Sequence, residues 1–276
     1  MRNFNPQDAV RPAILATDLD GTLIPLENDP AHLEALAELR ELRKAHGRGL
    51  IFATGRDFAS TAEAMEQYGL PDPDWIVCDV GTAIYHRDGE SFAPYTPYET
   101  HLGEETGGVP RETVEALLES IEPLAPQPPE NQKPFKISYT CPADAVETAV
   151  AEVNARLGAG ALPFAGTGSV DPFTGSGLLD VLPRSVSKAY ALLWLATHAD
   201  FSPDEVLYAG DSGNDLAALA SGFRAVIVAN CDPALPEKAR RALERRGLGH
   251  RLYLARATAT SGVLEGCRHF GLFPNP

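Results

Sequence analysis

Cysteine is scarce and scattered: Cys78, Cys141, Cys231 and Cys267 form no CxxC pair. That spacing offers neither a zinc knuckle nor a small disulfide framework, and it suits a reducing, cytoplasmic compartment. Long apolar runs are missing as well. None reaches the roughly 18 residues a membrane-crossing helix needs. Met1 to Arg11 is polar, without the apolar stretch of a secretory signal. Positive charge is in deficit, with 23 Lys and Arg against 38 Asp and Glu for a net −15. This speaks against a nucleic-acid partner, whose phosphates call for clustered cations. It also speaks against an anionic membrane surface. Solubility is the plain use of such a charge, and a monomer or small homo-oligomer is expected.

What is present is a regular alternation of strands and helices. Ile14–Thr17, Leu50–Ala53 and Trp75–Cys78 are short, nearly continuous apolar runs, separated by helical stretches over 30–46 and 58–68. The same grammar returns late: helix 186–198, strand 206–209, short helix 213–220, strand 225–228, helix 233–246 and helix 260–270. Continuous apolar strands between helices predict an α/β fold with a parallel sheet covered on both faces. The middle differs. It is rich in Pro and Gly, with helices predicted over 110–121 and 143–157 and an alternating strand over 135–139. Alternation predicts an antiparallel sheet with one wet face. At roughly 150 residues per domain, 276 residues suit a core of 1–84 and 178–276 with an inserted α+β domain over 85–177.

Four clusters fall at or near predicted core elements, whose strand ends open onto one crevice in a parallel sheet. Asp18-Leu19-Asp20-Gly21-Thr22 ends the first strand. Two such carboxylates can divide labour, one attacking phosphorus and the other moving a proton. Gly21 permits a tight turn whose amides can hold phosphoryl oxygens; a plain Asx turn is the bland alternative. Ala53-Thr54-Gly55-Arg56 ends the second strand, with a hydroxyl to donate and a glycine that lets the backbone approach a ligand. Arg56 either touches that ligand, caps a helix or pairs with an acid. Lys188 opens a helix; a lone lysine there is ordinarily a solvated charge, but beside the other clusters its ammonium can neutralise a phosphoryl group. Gly210-Asp211-Ser212-Gly213-Asn214-Asp215 follows a strand, and its oxygens suit a hard cation such as magnesium. The spacing does not match a calcium-binding helix-loop-helix.

Together and in this order, the four clusters resemble the haloacid dehalogenase superfamily over residues 13–82 and 178–230. The resemblance implies a Rossmann-like parallel-sheet core with an inserted cap of the C2 type. It implies an aspartyl-phosphate intermediate on Asp18, acid/base work by Asp20, and phosphate held by Thr54 and Lys188. It also implies Mg²⁺ bound by Asp18, Asp211, Asp215 and the Asp20 carbonyl, with Gly55, Arg56 and Asn214 facing substrate. Further stretches are similar to the sucrose-phosphatase branch: 80–85, 133–138, 179–183 and 260–271. They imply a phosphorylated sugar as the small-molecule partner, a glycosyl phosphate such as sucrose 6-phosphate. Gly21-Thr22-Leu23 departs from the Asn and Trp that plant-like sucrose phosphatases carry there, which keeps mannosylfructose phosphate and glucosylglycerol phosphate open. Lys136 and Ser138, on one face of the predicted strand, are candidates for the sugar hydroxyls, or else face solvent. A hexose phosphomutase is the rival activity, distinguished by isomerised sugar without free phosphate. A non-catalytic sensor is disfavoured by the presence of both Asp18 and Asp20.

Overall fold

The computed structural model describes residues 10–25, 30–171 and 174–275. The polar segment before residue 10 lies outside them. In chain order, the first part comprises β1 (Ile14–Thr17), α1 (Pro30–His46), β2 (Gly49–Ala53), α2 (Phe58–Tyr68), β3 (Trp75–Cys78), β4 (Ala83–Asp88) and β5 (Ser91–Pro94). There follow α3 (Thr96–Glu105), α4 (Arg111–Leu118), β6 (Ala125–Pro126), β7 (Ile137–Cys141), α5 (Val146–Ala159), β8 (Phe164–Val170) and β9 (Gly177–Pro183). The last part holds α6 (Lys188–His198), β10 (Val206–Gly210), α7 (Leu216–Leu219), β11 (Arg224–Ile227), α8 (Leu235–Glu244), β12 (Leu252–Leu254) and α9 (Ala259–His269).

The chain divides into two compact units, one ending at Pro94 and resuming at Ser187, the other Tyr95–Val186. The boundaries expected at 84/85 and 177/178 are therefore corrected to 94/95 and 186/187. Two features move them. Residues 83–94 form a hairpin, β4–β5, that extends the first sheet, and β9 continues through Pro183 in the second.

The first unit is an eight-stranded sheet in the order β12-β11-β10-β1-β2-β3-β4-β5. Every pair from β12 to β3 is parallel, and the hairpin adds two antiparallel strands at one edge. Leu15, Leu50, Phe52, Ile76, Leu207 and Val226 form a core with Leu36 and Leu39 of α1 and Val263, Leu264 and Cys267 of α9. The strands are short and buried nearly end to end, as a sheet covered on both faces demands. From β1 the chain winds one way through β2 and β3, and from β10 the other way through β11 and β12. The carboxyl ends of β1 and β10 thus flank the point where strand order reverses, the ordinary ligand crevice of such sheets.

The second unit is a four-stranded antiparallel sheet, β6-β7-β9-β8. Ile137, Tyr139, Leu179, Val181 and Phe164 pack on Val114 and Leu118 of α4 and Val153 and Leu157 of α5. No helix among the described residues is long and apolar enough to cross a membrane.

Candidate active site

Asp18 leaves β1 beside β10, where its amide donates to Ala209 O at 3.0 Å. The chain turns at once: Gly21 N and Ile24 N donate back to Ile24 O and Leu19 O. Gly21 has φ +78°, and a Cβ there would stand 2.5 Å from Asp211 Oδ2. Any side chain at 21 would therefore both strain the turn and strike the carboxylate from β10. Thr22 Oγ1 donates to Asp211 Oδ1 at 2.8 Å, stitching the two strand ends together.

Lys188 is fully buried, which corrects the ordinary expectation of a solvated lysine. The helix predicted from Val186 starts at Lys188, because Ser187 is its N-cap and accepts Tyr190 N–H at 3.2 Å. That cap sets the lysine in the first turn. Its Nζ reaches Asp18 Oδ1 at 2.8 Å, Asp215 Oδ1 at 2.8 Å and Asn214 Oδ1 at 3.0 Å. Burial alone would discharge this ammonium; the Asp18 and Asp215 carboxylates overcome that and hold it charged.

Asp18, Asp211 and Asp215 each offer an oxygen within 4.8 Å of the others. Burial, then the Asp215 charge, push Asp18 up to about 8 against the pull of Lys188. The same two causes push Asp211 up to about 6, eased by the Thr22 hydroxyl. Asp215 is engaged on every side. Its Oδ1 accepts from Lys188 and, at 2.5 Å, from Tyr208; its Oδ2 accepts from the amides of Asp211 and Ser212 and from Ser212 Oγ. Tyr208 is fully buried, and burial followed by the Asp215 charge keep its phenol protonated.

Thr54 is buried at the end of β2, its N–H bonded to Val77 O and its C=O accepting from Val80. Its Oγ1 accepts Arg56 N–H at 3.1 Å, which leaves the hydroxyl proton to donate. The turn that follows β3 holds this arrangement and places Asp79 and Val80 at φ +51° and +59°. For a β-branched residue such as Val80 this is a strained backbone, a kind that gathers at functional sites. Arg56 takes the third of its expected roles and pairs with an acid. Its Nε and Nη2 grip Asp20 Oδ2 and Oδ1, each at 2.7 Å. Gly55 lies between the two, with nothing closer to its Cβ position than Val80 at 4.0 Å.

Within the second unit, β7 begins at Ile137, just after Lys136. The expected wet face is corrected at both candidate positions: Ser138 is 1% and Lys136 8% exposed. Ser138 is dry because β9 supplies a partner in register, Asp180, whose Oδ1 accepts from Ser138 Oγ at 2.6 Å. Gln132 brackets the Ser138 backbone, accepting from its N–H and donating to its C=O. On the other side of β9, Thr167 of β8 pairs with Asp180. Ser138, Asp180 and Thr167 therefore make one polar row across the sheet. Asp180 and Thr167 escaped sequence reading, although the polar residue inside Leu179-Asp180-Val181-Leu182 was a visible irregularity.

The model of the sucrose-6F-phosphate phosphohydrolase family matches residues 11–271. The chain belongs to that family. A mannosylfructose-phosphate phosphatase of Agrobacterium fabrum is 32% identical over 267 residues, which are 95% of this chain and 98% of the relative. The sucrose-phosphatase of Synechocystis, solved with sucrose and phosphate, superposes with a TM-score of 0.76 at 30% identity, over 96% of this chain and 100% of that one. A haloacid dehalogenase-like hydrolase of Bacillus subtilis shares the fold at a TM-score of 0.65 and 18% identity, covering 94% of this chain and 92% of its own. Like others of its family, the chain is a phosphoric monoester hydrolase of the haloacid dehalogenase superfamily.

Proposed function

We propose that this phosphatase cleaves a phosphorylated disaccharide or glycosyl phosphate, such as sucrose 6-phosphate or mannosylfructose phosphate, through an aspartyl phosphate on Asp18. The convergence of Asp18, Lys188 and Asp211 at the β1/β10 crevice carries the reading. One Asp18 oxygen attacks phosphorus and the P–O bond to the sugar breaks. Asp20 gives the departing sugar oxygen its proton. Asp20 then takes a proton from water, which attacks the phosphoenzyme and returns Asp18 with free phosphate. Arg56 holds both Asp20 oxygens in this structure. Proton donation requires Asp20 to leave the guanidinium. Lys188 neutralises charge on Asp18 and the phosphoryl group, and the Thr54 hydroxyl donates to a phosphoryl oxygen. We assign substrate selection to the inserted unit and place the enzyme in the cytoplasm.

The donor set fits magnesium: crowded, buried carboxylates of hard oxygen, with Asp18 and Asp211 pushed up by burial and then by the Asp215 charge, a crowding that a cation relieves. Asp18, Asp211 and the Asp20 carbonyl would hold it, with Asp215 in the same cluster. When bound, the ion supplies positive charge beside the transferring phosphoryl oxygens.

Two measurements test these statements. A panel of glycosyl and hexose phosphates assayed with Mg²⁺ should give a kcat/KM for one glycosyl phosphate at least about tenfold above glucose 6-phosphate, the discrimination a few polar contacts provide. No phosphate release from any glycosyl phosphate would falsify the substrate class. Thermal melting tests the metal. Asp18 and Asp211 have folded values of about 8 and about 6, above their unperturbed 3.8. Their favourable contribution is thus complete below 3.8 and is lost as pH rises through those values. Protons must also leave before a cation enters. The rise in Tm that Mg²⁺ produces should therefore be several degrees larger near pH 8 than near pH 5, with about 2–4 °C per kcal/mol. Asp211→Asn should erase most of it. A shift flat with pH, or intact in that variant, counts against this ion site.

A further inference from the structure

We propose that Tyr208 is a positioning residue for the hydrolysis: its hydroxyl fixes Asp215 as the partner of Lys188 rather than as a ligand of the cation. This rests on Asp18 being the nucleophile. Four side chains form one buried chain of contacts, Tyr208 OH to Asp215 Oδ1 at 2.5 Å, Asp215 Oδ1 to Lys188 Nζ at 2.8 Å, and Lys188 Nζ to Asp18 Oδ1 at 2.8 Å. Three of its members have no exposed surface, and Asp18 has 5%. A buried tyrosine needs some acceptor, and any carbonyl nearby would satisfy that need. The acceptor here is the very oxygen that the lysine uses.

The geometry leaves Asp215 little room to turn. Its second oxygen is held by the amides of Asp211 and Ser212, both at 3.1 Å, and by Ser212 Oγ at 3.3 Å. Gly210 lets the carboxylate fold back over the strand end, for a Cβ at 210 would lie 2.6 Å from Asp215 Cγ. The hydroxyl of Tyr208 draws charge from Oδ1, as a short bond to a carboxylate does. Lys188 is thereby shared between Asp215 and Asp18 instead of being captured by Asp215. Without that hydroxyl, Oδ1 pulls harder on the ammonium and Asp18 loses part of its neutralising partner.

Tyr208→Phe removes one oxygen and keeps the ring. With p-nitrophenyl phosphate and Mg²⁺, kcat per folded molecule should fall about tenfold while KM stays within about twofold, the pattern of an interaction made in the transition state. Asp215→Asn should cost less in the Tyr208→Phe background than in the wild type, because the two act as one unit. A tyrosine that only fills space would lower Tm and leave kcat per folded molecule within twofold, and that result, or strictly additive losses, overturns the proposal. Should Tyr208→Phe not fold, wild-type enzyme labelled with ¹³Cζ-tyrosine carries the test. The Tyr208 signal shifts when orthovanadate binds, and a signal that stays put overturns the proposal. Substantial turnover in Asp18→Asn is a separate outcome, which removes the nucleophile reading itself without involving Tyr208.

Discussion

Asp18→Asn should lower turnover about 10⁴-fold or more, the scale seen when a covalent nucleophile is removed. It should also make the cation-free protein more stable at pH 8. Both effects come from one placement. Asp18 is a buried carboxylate beside Asp215 and Asp211, with Lys188 the one cation among the described residues bonded to it. The sign follows from its folded value of about 8 against 3.8 unperturbed. Its contribution to stability is intact below 3.8 and fades as pH climbs towards 8. Asparagine has no proton to lose, so the gain in Tm measured in a chelator should be largest near pH 8 and vanish near pH 4. Circular dichroism melts and phosphate release, run side by side, check both halves. Turnover within about 100-fold of wild type rules out the covalent route; a lower Tm at pH 8 rules out the electrostatic account.

Lys188→Met should act in the opposite direction on the fold. Removing the ammonium leaves three crowded carboxylates without their shared counter-charge, and breaking a buried ion pair this way costs about 3–5 kcal/mol. The loss should be greatest near pH 8 and shrink near pH 5, where protons take over the neutralising role. Turnover should fall about 10²–10³-fold, the scale on which a preorganised electrostatic group is worth. A Tm and kcat both close to wild type would show that the lysine neither braces the cluster nor serves the chemistry.

The core was legible because its signals are local. Short apolar strands alternating with helices specify a covered parallel sheet, and the chemistry follows at strand ends that the topology gathers. Hence 30–46, 58–68 and 75–78 were read with their observed limits. The edge hairpin over 83–94 was harder. Its two antiparallel strands are half exposed and carry Tyr85, His86 and Arg87, so neither continuous apolarity nor strict alternation marks them. The inserted unit was legible in class but not in detail. Its two-residue β6 and glycine-containing β8 have no strand signature, and the glycines of β8 answer to side chains of α5. The state of Asp215 was out of reach for another reason. Sequence can place two carboxylates near a cation, but only packing decides which of them spends its lone pairs on a lysine and a tyrosine.

Helix α9 carries a different consequence. Thr260 Oγ1 donates to Leu23 O at 2.7 Å across 237 residues. Asn230, which accepts from Ala259 N, donates to Gly21 O at 2.7 Å. The loop that follows the nucleophile is therefore clamped by groups encoded far downstream. During synthesis the strand bearing Asp18 emerges before Asn230 and Thr260, and its turn has no final anchor until they follow. Closure across such separations is slow and entropically costly, so catalytic competence waits on contacts made by residues far downstream of the nucleophile.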